Sequence, residues 1–273
     1  MILKLRTLIC SLILSCAFLL PSVGHAINLN ILNPNSLGGA LPDDVASAAI
    51  KTFGIYLVHR PYEAASSIFG ESALEFKIEV SMIHIGSALP TALAANGMAG
   101  NNNAQSIAIP MAKIHFRKAI SKTMDMGISG LYYDGQQSIG TDLKIVLNDP
   151  EDAEGVTTAI RLGYTYASAS LIYLKDVHVY SPEFVASRKL DAAEPYLGMG
   201  GRYIVGTISV PFHLPPLPKP DLSIEKSGSG FTAYAFVGVT FRILGPKGFI
   251  FGMEGSYDMS GFSTLGTQFG VSF

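Results

Sequence analysis

Cysteine, long apolar runs and charge are all scarce in this sequence of 273 residues. Both cysteines, Cys10 and Cys16, lie close to the start, so the rest of the chain offers no thiol for disulfide, redox or nucleophilic chemistry. After Leu20 no apolar run approaches the about 20 residues that a membrane-spanning helix needs. Charged residues make up only 15% of the chain, although 48% of it is hydrophobic. The apolar residues must therefore be distributed in short alternating segments.

The first residues have the layout of a secretory signal peptide. Lys4 and Arg6 precede an apolar run from Leu8 to Leu20, and the small-residue site Gly24-His25-Ala26 follows. We predict that residues 1–26 are a signal peptide cleaved after Ala26. Two alternatives remain open, an uncleaved membrane anchor and lipidation at Cys16.

The charge of the remaining chain limits its partners. Without residues 1–26 it has 17 basic and 21 acidic residues, a formal charge of −4. This balance is not basic enough for nucleic acid or anionic lipid to be the main partner.

The last residues alternate in the way of a half-buried strand. Because strand side chains point alternately to opposite faces, one face of this segment is mostly large and apolar and the other small and polar. A strand of a soluble sandwich can show the same pattern, but this segment resembles the terminal strand of bacterial outer-membrane β-barrels, which closes the barrel. Its principal apolar residues are Leu265, Phe269, Val271 and Phe273.

The same alternation predicts nine further strands. In residues 74–82, Glu75, Lys77 and Glu79 alternate with five large apolar residues. The others are predicted at 106–118, 124–133, 138–147, 156–166, 170–180, 193–209, 233–243 and 249–258. Single-chain bacterial barrels have even strand numbers. We therefore predict an all-β fold, an antiparallel transmembrane β-barrel of about ten strands over 73–273, with a short N-terminal periplasmic helix.

The connections between these strands fit the predicted topology in part. An even strand number places both barrel termini in the periplasm, so the long loops 86–104 and 210–229 face outward. The second of these loops is rich in proline, which favours an extended, stiff conformation. The assignment also makes 167–169 a very short outward link and 181–192 a long inward link.

One helix is predicted in the region that precedes the barrel, residues 27–72. Pro42 suits its first turn, and two acids follow at the positive end of the helix dipole. It extends from Asp43 to about His59, before Arg60-Pro61. Three placements are open: a plug in or under the lumen, a helix on the membrane surface, or a displaced wall strand. Its apolar stripe consists of Val45, Ala49, Phe53, Tyr56 and Leu57.

Two short motifs add a family resemblance. Arg60-Pro61 follows the helix, and Pro195-Tyr196-Leu197-Gly198-Met199-Gly200 matches a Pro-Tyr-x-Gly-x-Gly strand. With the closing strand, they make the chain resemble proteobacterial outer-membrane β-barrel proteins, within their uncharacterised, small-barrel and porin-like group. The resemblance implies this fold and the outer membrane of a Gram-negative bacterium, and we expect the barrel to be a monomer. The implied partners are outer-membrane lipid and the barrel-insertion machinery, which recognises the last strand.

The charged residues of the predicted strands are expected to face the lumen, because Arg or Lys in the lipid costs about 2–4 kcal/mol at the bilayer midplane. The expected lumen charges are Glu75, Lys77, Glu79, Lys113, His115, Arg117, Asp142, Lys144, Arg161, Arg202, Arg242 and Glu254. Three interpretations are open: an electrostatic plug that fills a narrow barrel, a narrow path for small solutes, and a specific ligand site.

No residue set in the sequence indicates catalysis, a metal or a cofactor. Hydrolytic barrel enzymes pair a histidine with a serine, and His84 and His213 lie near predicted outer loops, with Ser81 and Ser87 close to the first. No two histidines have ligand spacing on one strand face. We predict a structural or narrow-pore membrane protein that is not an enzyme. Surface binding or adhesion through loops 86–104 and 210–229 is the alternative, and a lipid hydrolase is the third option.

Overall fold

Ten strands and one helix make up the described part of the chain. The computed structural model describes residues 43–68, 73–85, 107–133, 136–148, 155–169, 174–212, 222–243 and 248–273. The predicted signal peptide, the lead up to residue 42 and loop 86–104 lie outside the described residues. Among the described residues, no helix is long and apolar enough to cross a membrane.

The elements follow one another in a simple order. The helix, α1, is Asp43–Leu57. The strands are β1 Leu74–Ile85, β2 Ile107–Ser121, β3 Met124–Tyr133, β4 Gln136–Asn148, β5 Val156–Ala169, β6 Leu174–Arg188, β7 Ala193–Phe212, β8 Leu222–Ile243, β9 Phe249–Asp258 and β10 Ser263–Ser272.

The strands form a closed antiparallel barrel in which each strand pairs with its neighbours in sequence and β1 pairs with β10. The closing register sets Phe76 opposite Val271 and Ile78 opposite Phe269. The prediction of an all-β, ten-stranded barrel is thus confirmed. We call the end where β1 begins and β10 ends the terminal end, and the opposite end, where β1 ends and β2 begins, the loop end.

The strand alternation sorts the residues between interior and exterior. Along β1, Glu75, Lys77 and Glu79 are at most 2% exposed, whereas Leu74 and Met82 are more than 40% exposed. A closed barrel satisfies its backbone groups between strands, so the apolar side chains are free to cover the outside. The wall is therefore polar inside and apolar outside.

Two predicted links are wrong. Residues 167–169 belong to β5, and 181–188 belong to β6, which turns only at 189–192. Pro182, which has no N–H to donate, obscured the strand, yet Pro182 pairs with Leu162 of β5. The predicted loop 210–229 is also shorter, because β7 extends to Phe212 and β8 begins at Leu222.

The helix before the first strand is confirmed, two residues shorter than predicted. It lies inside the barrel, in the half towards the loop end, rather than at the periplasmic mouth. There it packs mainly against β7 and β8, with Ile50 close to Gly206 and Gly228. The side chains of Val45 and Tyr56, two members of the predicted stripe, lie outside the described residues.

Candidate functional site: the occupied barrel interior

The N-terminal residues fill the barrel along its length. After α1, residues 58–68 continue without regular structure to the terminal end, where the N–H of Ile68 donates to Asp125 Oδ2 at 3.2 Å near the start of β3. We call residues 58–68 the strap, and α1 with the strap, residues 43–68, the plug. The interior therefore has an apolar layer around α1 and a polar layer around the strap.

The apolar layer is a protein core enclosed by the wall. Ala46, Ile50 and Leu57 of α1 are fully buried. The wall supplies buried apolar residues from β1, β2, β3, β5, β6 and β7 and from the turn before β10. These residues are Ile83, Met111, Leu131, Ala167, Ala169, Leu174, Val177, Val179, Ile204, Ile208 and Phe262.

Close contact between helix and wall depends on a glycine of β8. A Cβ at Gly228 would lie 3.0 Å from the Cα of Ser47, tighter than ordinary packing allows. Because a backbone atom is involved, the clash cannot be relieved by a rotamer change. The helix is seated against the bare backbone of the β7–β8 hairpin.

In the polar layer, Glu63 of the strap is surrounded by three bases of the wall. One of its oxygens lies 2.6 Å from Nε of Arg117, the other accepts a hydrogen bond from Lys77, and Nζ of Lys144 lies 3.9 Å away. The three bases come from β1, β2 and β4. A single carboxylate thus holds three strands that are adjacent or nearly so in the barrel.

Arg60 makes the opposite contact, with acids of the far wall. Its Nε donates to Glu183 of β6 at 3.0 Å, and Nη1 donates to Glu254 of β9. The guanidinium also lies 4.0 Å from the centroid of the Phe236 ring, a cation–π contact in a desolvated site. Geometry of this kind suits arginine, whose planar group both bonds two acids and stacks on a ring.

His59 joins a serine and an aspartate. Its Nε2 lies 2.7 Å from Asp142 Oδ1, and Nδ1 bonds to the hydroxyl of Ser129. The set has the composition of a catalytic triad, but each of the three side chains lies in a residue at most 5% exposed. A reacting substrate atom needs a position about 3 Å from the nucleophile. In this arrangement the three residues anchor the strap to β3 and β4.

The backbone of the strap is bonded by cations of the wall. Lys113 donates to the carbonyl of Val58 at 2.6 Å, and Arg161 donates to those of Pro61 and Glu63 at 3.2 and 3.1 Å. A buried segment without strand or helix pairing must find side-chain partners for its carbonyls. The wall charges supply them, so the strap is bonded through its backbone as well as its side chains.

The electrostatic state of the strap follows from these contacts, since it lies outside the membrane-spanning strands. Burial alone would raise the pKa of Glu63, but Arg117, Lys77 and Lys144 outweigh it and hold that pKa well below 4.5. Burial lowers the pKa of His59 below 6.5 despite the neighbouring Asp142. At neutral pH the strap thus presents an ionised Glu63 to the bases of the wall.

The structure brings the predicted lumen charges together. Eleven of the twelve lie in residues at most 5% exposed, and the side chain of Arg242 is 16% exposed and bonds to Glu75. Other pairs are Lys77 with Glu75, Lys113 and His115 with Glu79, Arg117 with Asp142, Lys144 with Asp125, Arg161 with Glu183, and Arg202 with Asp258. These pairs offset part of the free energy that removing the charges from water costs.

Several interior charges were missed from the sequence. Asp125 and Asp258 lie at the ends of predicted strands, in the inward phase. Glu183 lay in the segment taken as a link, and Glu63 lay outside the predicted barrel. The alternation of inward-facing side chains could have identified Asp125 and Asp258 from the sequence. No feature of the sequence around Glu63 indicates that it lies inside the barrel.

The residues considered for hydrolysis do not form a pair among the described residues. Ser81 faces the interior and donates to Glu79, whereas the residue His84 on the same strand is exposed on the other face. His213 and Ser87 lie outside the described residues. Within the described ranges, no group of three or more His, Cys, Asp or Glu is placed to hold a metal ion.

The exterior shows how the barrel sits in a membrane. Six tyrosines of the outer face form a ring near the loop end: Tyr132, Tyr164, Tyr166, Tyr180, Tyr203 and Tyr257. Near the terminal end, the rings of Phe241, Phe251 and Phe269 lie next to one another in this order, with 6.0 and 5.0 Å between centroids. Aromatic girdles at both interfaces are typical of transmembrane barrels. The protein is an integral outer-membrane β-barrel protein.

Comparisons with known proteins return barrels of the same kind. No family model matches the sequence, and no curated protein matches it. Among solved structures, Ail, the attachment invasion locus protein of Yersinia pestis, is 12% identical with a TM-score of 0.32, over 75% of this chain and 100% of that chain. The KdgM porin is 10% identical with a TM-score of 0.35, over 74% and 99%. Omp33 of Acinetobacter baumannii is 10% identical with a TM-score of 0.30, over 75% and 100%. Similarities at this level indicate no function for this chain.

Proposed function

We propose that this protein is a structural, non-enzymatic barrel of the outer membrane whose lumen is closed by its own residues 43–68, and that small solutes pass only when this plug is displaced. The observation that carries the proposal is that the strap forms ion pairs with opposite sides of the barrel wall. Glu63 binds the bases of β1, β2 and β4, while Arg60 binds acids of β6 and β9.

The dimensions of the barrel support a closed resting state. An eight-stranded barrel has room only for side chains or one small ligand, and the diameter grows with the strand number. Here α1 and the strap take that space, and wall cations bond to the strap carbonyls. A hydrated ion has to displace these contacts before it can cross.

Single-channel recording in a planar bilayer tests the proposal. We expect the wild-type barrel to be silent and a variant lacking residues 28–66 to give discrete, salt-dependent steps. A variant lacking only residues 28–41 keeps the plug and serves as the matched control, which should stay silent. Heat-modifiable electrophoresis shows that each barrel is folded. Open steps from the wild type, unchanged by the longer deletion, would contradict the proposal.

A second candidate, binding at the cell surface, is favoured by the length of one hairpin. β7 and β8 have 20 and 22 residues, whereas the other strands have 10 to 15. A transmembrane strand needs about 9–11 residues, so this hairpin extends well beyond the bilayer at the loop end. Its exposed side chains include Glu225, Ser227 and Ser229.

Trimming the hairpin tests this second role. A variant that replaces residues 209–225 by the two-residue turn Asn-Gly keeps Ile208 and Lys226 as a pair in register and shortens the hairpin without altering the rest of the wall. Reduced adherence of cells that express it, at equal surface amounts of folded barrel, supports surface binding. Equal adherence of both cell types removes this candidate and leaves the closed barrel unaffected.

A further inference from the structure

A polar cluster interrupts the apolar exterior on β5 and β6 near the loop end. The hydroxyl of Tyr166 donates to Asp176 Oδ1 at 2.9 Å, and the hydroxyl of Tyr164 lies 2.8 Å from Nδ1 of His178. The rings of Tyr166 and His178 are 5.4 Å apart between centroids. These four side chains hold one another in place on a surface that faces outward from the barrel.

The backbone of β6 is irregular at Asp176. Asp176 has a φ of 49°, a left-handed conformation that is uncommon for a residue other than glycine. The pairing of β6 with β7 also shifts register between Lys175 and His178. Such irregularities re-aim side chains and concentrate at functional positions. Barrel closure does not require them, because β3 pairs with β4 in an unbroken register.

The depth of the cluster determines what it contacts. Tyr164 and Tyr166 belong to the tyrosine ring, and Leu162, the next outward residue towards the membrane centre, is 51% exposed on the apolar band. Tyrosine rings of this kind lie at the level of the lipid headgroups. The cluster therefore faces the headgroup region of the leaflet at the loop end.

The chemistry of the cluster favours hydroxyl groups over phosphate. Asp176 offers carboxylate oxygens, and the two tyrosines offer phenolic oxygens, so the site is rich in acceptors. Nζ of the nearby Lys175 lies 3.4 Å from Glu225 Oε1, and the carboxylate of Glu225 repels an anionic ligand such as a phosphate. Beside the cluster, Gln137 donates to Ser168 at 2.9 Å and adds neutral polar groups. Sugar hydroxyls complement this arrangement.

We propose that Tyr164, Tyr166, Asp176 and His178 form a binding site for the sugar headgroup of an outer-leaflet glycolipid. The occupant is a lipid, because the cluster is continuous with the lipid-covered band. The site is separate from the occupied interior, so it is independent of whether the plug ever opens.

Native mass spectrometry of the detergent-purified barrel tests the site. Rough-type lipopolysaccharide is the glycolipid probe and phosphatidylglycerol the phospholipid probe. We expect the Tyr164→Phe/Tyr166→Phe double variant to bind the glycolipid about three- to tenfold more weakly, the range that one or two lost hydrogen bonds produce. The matched control is Tyr132→Phe/Tyr257→Phe, which removes two hydroxyls from the same ring on other strands and should leave binding unchanged.

Each other outcome overturns the site. Equal loss in both double variants means that the whole tyrosine ring, and not this cluster, binds lipid. Equal binding of phosphatidylglycerol and glycolipid by the wild type means that no sugar is recognised. Because a Tyr→Phe change keeps the ring, folding is expected to be normal and is checked by heat-modifiable electrophoresis. His178→Ala, a single change within the cluster, must also weaken glycolipid binding.

Discussion

Arg60 and Glu63, neighbours in the strap, bind opposite sides of the barrel. Arg60 reaches Glu183 of β6, while Glu63 reaches Lys77 of β1 and Arg117 of β2. In the closed strand order, β6 lies across the barrel from β1. The strap therefore connects the two sides of the lumen through charge pairs, and its removal takes one charged partner away from each side.

The first prediction concerns Glu63→Gln. The change leaves Lys77, Arg117 and Lys144 with one fewer acid in a buried site, and removing one partner of a buried pair costs about 3–5 kcal/mol. We expect the urea midpoint of unfolding to fall markedly, as followed by the folded fraction on heat-modifiable electrophoresis. The control is Asp43→Asn, since Asp43 pairs with Lys226 in an exposed position. Exposed pairs contribute little, so the control should match the wild type.

The second prediction concerns Gly228→Val in β8. A side chain at this position meets the backbone of Ser47, so α1 has to move away from the wall. We expect the strands to remain paired while the plug loosens, which bilayer recording detects as intermittent conductance. Gly255→Val in β9 is the matched control, because a Cβ there meets nothing within 4 Å. If both variants are silent, the seat of α1 against Gly228 does not hold the lumen closed.

The third prediction is a loss of stability on acidification. The pKa of His59 is lowered by burial, so the unfolded chain takes up its proton at higher pH than the folded one. Its contribution is complete above about pH 6.5 and declines as the pH falls towards the folded pKa, by at most about 1.4 kcal/mol per pH unit. Glu63, with its pKa held well below 4.5, adds a second loss only below that pH.

The urea midpoint at several pH values measures this dependence. Between pH 7 and pH 5 we expect the wild type to lose stability more steeply than His59→Gln, which keeps a hydrogen-bonding side chain but does not titrate. Below the folded pKa of His59 the two curves should become parallel, because Glu63 and the other acids are common to both. Identical slopes between pH 7 and pH 5 would show that His59 is not protonated on unfolding.

The strands of the wall were predictable because their alternation can be recognised from residues that are close together in the sequence. Lipid outside and charge inside impose a period of two on every strand, and this period is visible at Glu75, Lys77 and Glu79 without any knowledge of the partner strands. The exceptions were strand ends that had been predicted as links or loops, such as residues 181–188 of β6. Its inward residues Ser181 and Glu183 nevertheless follow the same alternation.

The plug was not predictable to the same degree because its contacts are not local. An apolar stripe on α1 suits a lumen and a membrane surface equally. The distinguishing feature is that Ala46, Thr52 and Ile55 are also buried, so α1 is enclosed on more than one side. Glu63 has no special context in sequence, since Arg117 and Lys144 reach it only once β2 and β4 have joined the wall.

The last prediction concerns the membrane band on the exterior. Leu162→Arg places a charge on the apolar face below the tyrosine ring, where it costs about 2–4 kcal/mol near the midplane. Ser229→Arg is the matched control, because Ser229 lies on the part of β8 beyond its last pair with β9, Tyr234 with Asp258. We expect the first variant to fold into lipid vesicles with a lower urea midpoint and the second to match the wild type. Equal urea midpoints of the two variants would place Leu162 outside the hydrocarbon layer. The boundary of the membrane would then lie nearer the terminal end than the ring of six tyrosines.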